Sequence, residues 1–199
     1  MNYMSNILGE DYWTSRYQQN SIGWDVGEIT KPLKQYLDQI DNYWLKILIP
    51  GSGNAYEAQY ALNKGFLNTN ILDISPLPLE KFQLINPDFP ESQIHHCDFF
   101  AHEDQYDLII EQTFFCALLP HRRSDYVKKM NNLLKPGGKL VGLLFNRHFE
   151  KSGPPFGGRE EEYKELFEKE LKILKMETCY NSIPPRQGQE LFFILQKNQ

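Results

Sequence analysis

Apolar residues in this chain fall into short runs set between longer stretches of helical spacing. Ile47, Leu48 and Ile49 are consecutive, as in a strand covered on both faces. Residues 70–73 form a second short run ending in Asp73, and residues 92–98 a third with Asp98 near its end. Residues 106–112 give a fourth buried strand and residues 140–145 a fifth, after the Lys135-Pro136-Gly137-Gly138-Lys139 turn. Residues 173–180 and 190–196 read as a closing antiparallel pair. Between the runs lie helical patterns. Leu79, Phe82 and Ile85 share one face, as do Val127, Met130 and Leu134, and Tyr163, Leu166 and Phe167. Helices are also expected over 10–20, 32–40 and 55–62, and Trp44, just before the first strand, is assigned to the core. Strand alternating with helix predicts an α/β fold whose sheet is mostly parallel with helices on both faces.

The first strand runs into Pro50-Gly51-Ser52-Gly53-Asn54. Gly51 and Gly53 let the backbone turn sharply and approach a ligand with no Cβ in the way. Asn54 falls near a helix N-terminus, where free N–H groups favour a carboxylate or phosphate. Asp73 follows the turn by about twenty residues, the place of the acid that holds a ribose diol in nucleotide-binding α/β folds. The same pattern also suits any glycine turn that ends an α/β strand. A dinucleotide fingerprint wants a sixth-position glycine; Tyr56 stands there, which disfavours NAD and leaves room for another adenosine-bearing cofactor.

Ahead of the first strand, Trp13, Tyr17 and Trp24 fall within a dozen residues, with Gly23 and Gly27 around Trp24-Asp25. They read either as a helix stapled onto the core or as an aromatic lid over a ligand. A lid suits a sulfonium or another cation, which each aromatic face attracts by ~0.5–2 kcal/mol. His95 and His96 are adjacent on a strand and point to opposite faces, so no metal site is expected there. His121 fits either a surface helix start or a general base.

Composition narrows the classes. Lys and Arg number 21 against 26 Asp and Glu, a net charge of −5 that argues against a nucleic-acid partner. No apolar run reaches membrane-spanning length, and residues 1–5 carry neither the basic nor the apolar region of a leader. Cys97, Cys116 and Cys179 are odd in number and widely spaced, which suggests reduced thiols in a cytoplasmic protein. The 199 residues suit a single domain, with residues 1–30 as an aromatic N-terminal segment of it.

These elements resemble, in order, the class I methyltransferases that use S-adenosylmethionine, and within them the thiopurine S-methyltransferase family, nearest its thiol and halide branch. The resemblance is carried by Gly23-Trp24-Asp25, Ile49-Pro50-Gly51-Ser52-Gly53, Leu72-Asp73-Ile74-Ser75, Phe114-Phe115-Cys116-Ala117, Gly153-Pro154-Pro155 and Ile183-Pro184-Pro185-Arg186. It implies a Rossmann-like, seven-stranded, mostly parallel sheet. It also implies that Trp13, Tyr17 and Trp24 close over the cofactor, that Gly51 and Gly53 pass under its amino-acid part and that Asp73 holds the ribose. Asp98 and Phe99 then flank the adenine, and Gln112 sits near the methionine part. Trp24, Phe115, Phe145, Pro154 and Arg186 border the acceptor. There are departures from the family pattern: Tyr17 stands where tryptophan is common, Ser52 where cysteine is common, Phe145 where plant relatives have a tyrosine, and Gln112 in place of an arginine of the animal enzymes.

The implied reaction is methyl transfer to a small soft nucleophile such as a thiol, hydrosulfide or halide, with S-adenosylhomocysteine as product. The partner is a small molecule, without nucleic acid or membrane, and the chain is expected to be a monomer. Methylation of another small O or N acceptor, a dinucleotide oxidoreductase and a non-catalytic cofactor-binding protein are the alternatives.

Overall fold

A computed structural model describes residues 8–199. The leader reading of residues 1–5 and the start of the 1–30 segment lie outside the described residues. The strands are β1 (Ile47–Pro50), β2 (Thr69–Asp73), β3 (Ile94–His96), β4 (Tyr106–Gln112), β5 (Leu134–Phe145), β6 (Lys172–Thr178) and β7 (Glu190–Gln196). They form one seven-stranded sheet in the order β3-β2-β1-β4-β5-β7-β6. The first five in that order run parallel to their neighbours. β7 enters antiparallel between β5 and β6, so the sheet is mixed, with the closing antiparallel pair that the sequence suggests.

Alternation along the strands splits the core into two layers. Ile47 and Ile49 face α2 (Lys31–Asp38), α3 (Tyr56–Lys64) and α4 (Pro76–Ile85), through Leu33, Ala58 and Phe82. Leu48 and Ile109 face the other side, where α5 (Arg123–Leu133) and α6 (Glu160–Phe167) contribute Tyr126, Met130, Tyr163 and Phe167. This is the two-sided cover that a parallel sheet requires. α1 (Glu10–Gln18) buries no residue in either layer.

Several boundaries differ from the sequence reading. The third strand is only three residues long, preceded by a 3-10 turn at Glu91–Gln93, so Asp98 lies past it in a turn. The Pro136-Gly137-Gly138 turn is absorbed into β5 as an irregularity between the Tyr106 and Leu108 registers. Ile85 is exposed at the end of α4. Trp44 is not core: its side chain is 91% exposed. Its N–H donates to Asn42 Oδ1 at 3.1 Å, a local turn that carries the indole outward. Tyr43 makes the inward contact instead, 5.0 Å from the Phe66 ring.

The chain leaves β1 toward β2 and β3, then returns to β4 on the other side of β1. Strand order thus reverses between β1 and β4, and their carboxyl ends open a crevice where such sheets bind ligands.

Candidate active site

That crevice is a cavity of about 780 Å³. The glycine turn forms one wall. Ser52 N–H donates to Leu72 O at 3.0 Å and Gly53 N–H to Asp73 Oδ2 at 2.9 Å, which fastens the turn to the end of β2. Gly51 has φ +58 and Gly53 φ +52, backbone that favours glycine. A Cβ on Gly51 would fall 2.4 Å from Phe114 Cδ2, and one on Gly53 would fall 3.0 Å from the Tyr17 hydroxyl. Asp73 Oδ1 accepts Ser75 N–H at 2.9 Å. Burial raises the Asp73 carboxyl above its ordinary range, against the backbone donors that pull it down. Glu57, in the first turn of α3, is also buried on the cavity wall, and burial pushes its carboxyl up to about 7.

The aromatic segment forms the opposite wall. Trp24 meets Trp13 edge-to-face at 5.4 Å and Tyr17 at 5.8 Å. None of the three belongs to the core layers, and all line the cavity. Five contacts seat the segment. Asp25 accepts from Asn54 Nδ2 and from the Tyr56 hydroxyl, the latter at 3.2 Å. Thr14 Oγ1 and Ser75 Oγ are 2.9 Å apart, and Glu10 lies 3.3 Å from His96 Nε2. Arg186 Nη2 donates to Trp24 O at 2.9 Å.

The end of β4 supplies a third wall. Gln112 accepts from Thr30 Oγ1 at 3.1 Å. Thr113 then adopts φ +59, uncommon for a β-branched residue and typical of strained backbone near sites. Glu111, wholly buried, steers the turn: Oε1 accepts Phe114 N–H at 2.9 Å and Phe115 N–H at 3.0 Å, and Oε2 accepts Tyr126 O–H at 2.6 Å. The result places Phe114 on the cavity. Phe99 packs against it at 5.1 Å, and exposed Asp98 accepts Phe100 N–H at 2.8 Å.

The far end is closed by Phe145, Phe149, Pro154, Pro155, Arg147 and Arg186. The loop over it is pinned. Phe156 N–H donates to Cys116 O at 2.7 Å, and Arg123 Nη2 donates to Phe156 O at 3.0 Å and Gly157 O at 2.9 Å.

The sequence profile of the thiopurine S-methyltransferase family matches residues 8–193. The chain belongs to that family. A probable thiol methyltransferase 2 of Arabidopsis thaliana is 28% identical over 184 residues, covering 89% of this chain and 81% of the relative. Thiocyanate methyltransferase 1 of the same plant is 26% identical over 197 residues, with 94% and 85% covered. Thiopurine S-methyltransferase of Vibrio parahaemolyticus is 25% identical over 176 residues, with 79% and 81% covered. Among solved structures, a Burkholderia thailandensis 1,6-didemethyltoxoflavin-N1-methyltransferase with bound S-adenosylhomocysteine superposes with a TM-score of 0.74. It is 16% identical, with 96% of this chain and 87% of that one covered, a likeness of fold alone.

This thiopurine S-methyltransferase family member is an S-adenosylmethionine-dependent methyltransferase. The cavity suits such a cofactor. The glycine turn leaves room for close backbone approach, and Ser52 Oγ is buried there without a hydrogen-bond partner. A buried carboxylate stands at the end of β2, and aromatic rings line two walls.

The structure gathers Trp13, Tyr17, Trp24, Gly51, Gly53, Asp73, Asp98, Phe99, Gln112, Phe145, Pro154 and Arg186 around one cavity. Phe115 is the correction. Its side chain is 1% exposed and packs in the core on Tyr126, Tyr163 and Phe167, while Phe114 faces the cavity. The two adjacent rings point to different sides of a turn that the Glu111 bonds hold in place. His121 is exposed and is not part of the cavity wall. His95 bonds Asn70 Oδ1 and His96 bonds Ile74 O; among the described residues no group of three or more potential metal ligands forms. The sequence reading missed Tyr56, seen there only as an absent glycine, along with Glu57 and Arg147, which carry no motif.

Proposed function

We propose that this protein methylates the sulfur of a small thiol or of hydrosulfide, with halide ions as further acceptors. The observation that carries the reading is the acceptor end of the cavity. Its wall consists of phenylalanine and proline rings and two guanidiniums, and arginine does not deprotonate at working pH. Among the described residues the cavity wall holds no histidine and no lysine, and its buried carboxyls, Glu57 and Asp73, stand by the glycine turn and the end of β2. A neutral alcohol or amine needs its proton taken at or near the moment of attack. A thiol, with a reference pKa of about 8.5, supplies thiolate near neutral pH, and hydrosulfide and halides need no base. The names of the two plant relatives, thiol and thiocyanate methyltransferase, agree with a soft acceptor.

In this reading Asp73 accepts from the ribose hydroxyls, Asp98 and Phe99 flank the adenine, and Gly51 and Gly53 pass beneath the amino-acid part. Gln112 sits by the methionine chain, and Trp13, Tyr17 and Trp24 form the lid. The cofactor supplies a methyl carbon activated by a sulfonium. The chain's own work is to hold the sulfur nucleophile in line with that carbon, a positioning effect that contributes roughly 7–11 kcal/mol. Phe145, Pro154 and Arg186 keep the acceptor anion dry and attracted. We also place the protein in the cytoplasm as a one-domain monomer, in keeping with its three free cysteines.

Turnover with a panel of small thiols, hydrosulfide, iodide, catechols and amines tests this. The thiol rate at subsaturating concentration is expected to climb with pH along the thiol's own titration, while the iodide rate stays nearly flat. Equal turnover of alcohols or amines would reject the sulfur reading.

A further inference from the structure

Arg147 follows the end of β5 by two residues and stands exposed at the rim of the acceptor end. Its carbonyl accepts Gly158 N–H at 3.0 Å across an isolated antiparallel bridge. One guanidinium N–H donates to Gln189 Oε1, and Cζ lies 4.8 Å from the Phe149 ring centroid. Gln189 is fixed in turn: its N–H donates to Arg186 O at 3.0 Å, and its carbonyl accepts Asn146 N–H at 2.8 Å. The ends of β5 and β7 therefore bring two arginines to one wall. Between them Phe145 and Phe149 meet edge-to-face at 5.1 Å, and Arg186 Cζ lies 5.5 Å from Phe145. A row runs Arg186, Phe145, Phe149, Arg147.

The two ends of the row differ in charge. Arg186 has the Glu190 carboxylate at 3.5 Å and spends a donor on Trp24 O. Among the described residues no carboxylate pairs with Arg147, and its side-chain partner is an uncharged amide. A guanidinium carries five N–H donors in a planar fork that matches a carboxylate. A cation set at the rim without a protein counter-charge is free to pair with an anionic group on the ligand. Hydrosulfide and halides are single centres and cannot occupy both the inner position and the rim.

We propose that Arg147 is a specificity-determining residue, and that the preferred acceptor is a short mercaptocarboxylate. The carboxylate takes the Arg147 fork while the sulfur lies inward beside Phe145 and Arg186. This rests on the sulfur-acceptor reading above. In the transfer, the thiol proton leaves to solvent and the thiolate sulfur bonds to the methyl carbon. The carbon–sulfonium bond breaks with its electron pair going to the cofactor sulfur. Arg147 takes no part in that bond exchange.

The test compares 3-mercaptopropionate, 1-propanethiol and cysteamine with the wild type, Arg147→Lys and Arg147→Met. The wild type is expected to favour 3-mercaptopropionate over 1-propanethiol in kcat/KM by roughly tenfold or more, with cysteamine last. Arg147→Met should abolish most of that ratio through KM, and Arg147→Lys should keep part of it. Calorimetry with 3-(methylthio)propionate added to the S-adenosylhomocysteine complex should show the same order of affinities without turnover. An unchanged ratio in Arg147→Met, or a wild type that prefers the uncharged thiol, overturns the assignment while leaving the sulfur reading standing. A wild type that binds S-adenosylhomocysteine yet turns over no thiol overturns both.

Discussion

Arg186 Nη2 donates to the carbonyl oxygen of Trp24 at 2.9 Å, joining residues 162 positions apart in the chain. Trp24 is the ring on which Trp13 and Tyr17 meet edge-to-face, so one guanidinium connects the acceptor wall to the aromatic segment over the cofactor wall. Residues 10–27 line the cavity with no fully buried residue, and polar contacts tie them to the rest of the chain. Segments of that kind open at low cost.

Hydrogen exchange checks this relationship. Residues 10–27 are expected to slow when S-adenosylhomocysteine is added, since a closing segment orders on its ligand. Arg186→Met removes the donor to Trp24 O and should speed exchange of the same residues in the free protein. Strong and equal protection with and without ligand would show a fixed staple and no lid.

Asp73 is expected to govern cofactor affinity. Its carboxylate accepts one backbone N–H on each oxygen, which fixes its plane and leaves acceptor capacity for a diol. Losing charge-assisted hydrogen bonds costs on the order of 1.5–3 kcal/mol each, so Asp73→Ala should weaken cofactor binding at least tenfold. Calorimetric titration with S-adenosylhomocysteine measures it, and unchanged affinity would remove Asp73 from the site.

Gly51 should tolerate no side chain. Alanine there meets a φ of +58 and puts a Cβ 2.4 Å from Phe114, so the ring must leave the cavity wall. The left-handed backbone alone costs roughly 1–2 kcal/mol. Gly51→Ala is expected to lower both stability and cofactor affinity. Gly23→Ala, with nothing within 4 Å of the added carbon, serves as the tolerant control. Equal melting temperatures and affinities for the two variants would refute the packing argument.

Glu111 gives a pH signature. Burial pushes its carboxyl up to about 7 against the donors from Tyr126, Phe115 and Phe114, while an unfolded glutamate titrates near about 4.3. Between those values the folded chain keeps a proton that the unfolded chain has released. Its contribution to stability is therefore fully present below about 4.3 and is lost as pH rises through about 7. Glu111→Gln keeps an oxygen for the two N–H groups and has no charge to bury. Relative to wild type, it should gain on the order of 3 kcal/mol in unfolding free energy between pH 4.5 and pH 8. Urea denaturation at the two pH values measures this, and a pH-independent difference between the proteins would reject the burial penalty.

The sequence by itself determined the order of strands and helices, the glycine turn, the acid after it and the family. These features are local: periods of two and 3.6, a turn that only glycine makes cheaply, and an acid at a fixed distance from it. Tertiary structure decided which neighbour of a local pair faces the ligand and which distant residues meet. Phe114 lines the cavity while Phe115 fills the core against Tyr126, Tyr163 and Phe167, in a turn held by Glu111 and, through it, Tyr126. Trp44 is exposed although it is the bulkiest apolar residue near β1, because the Asn42 turn points it away. Arg147 and Arg186 share a wall because β7 pairs antiparallel with β5, setting Phe145 against Glu190. Such pairings depend on sheet order and on hydrogen bonds between residues far apart in the chain, which no local pattern encodes.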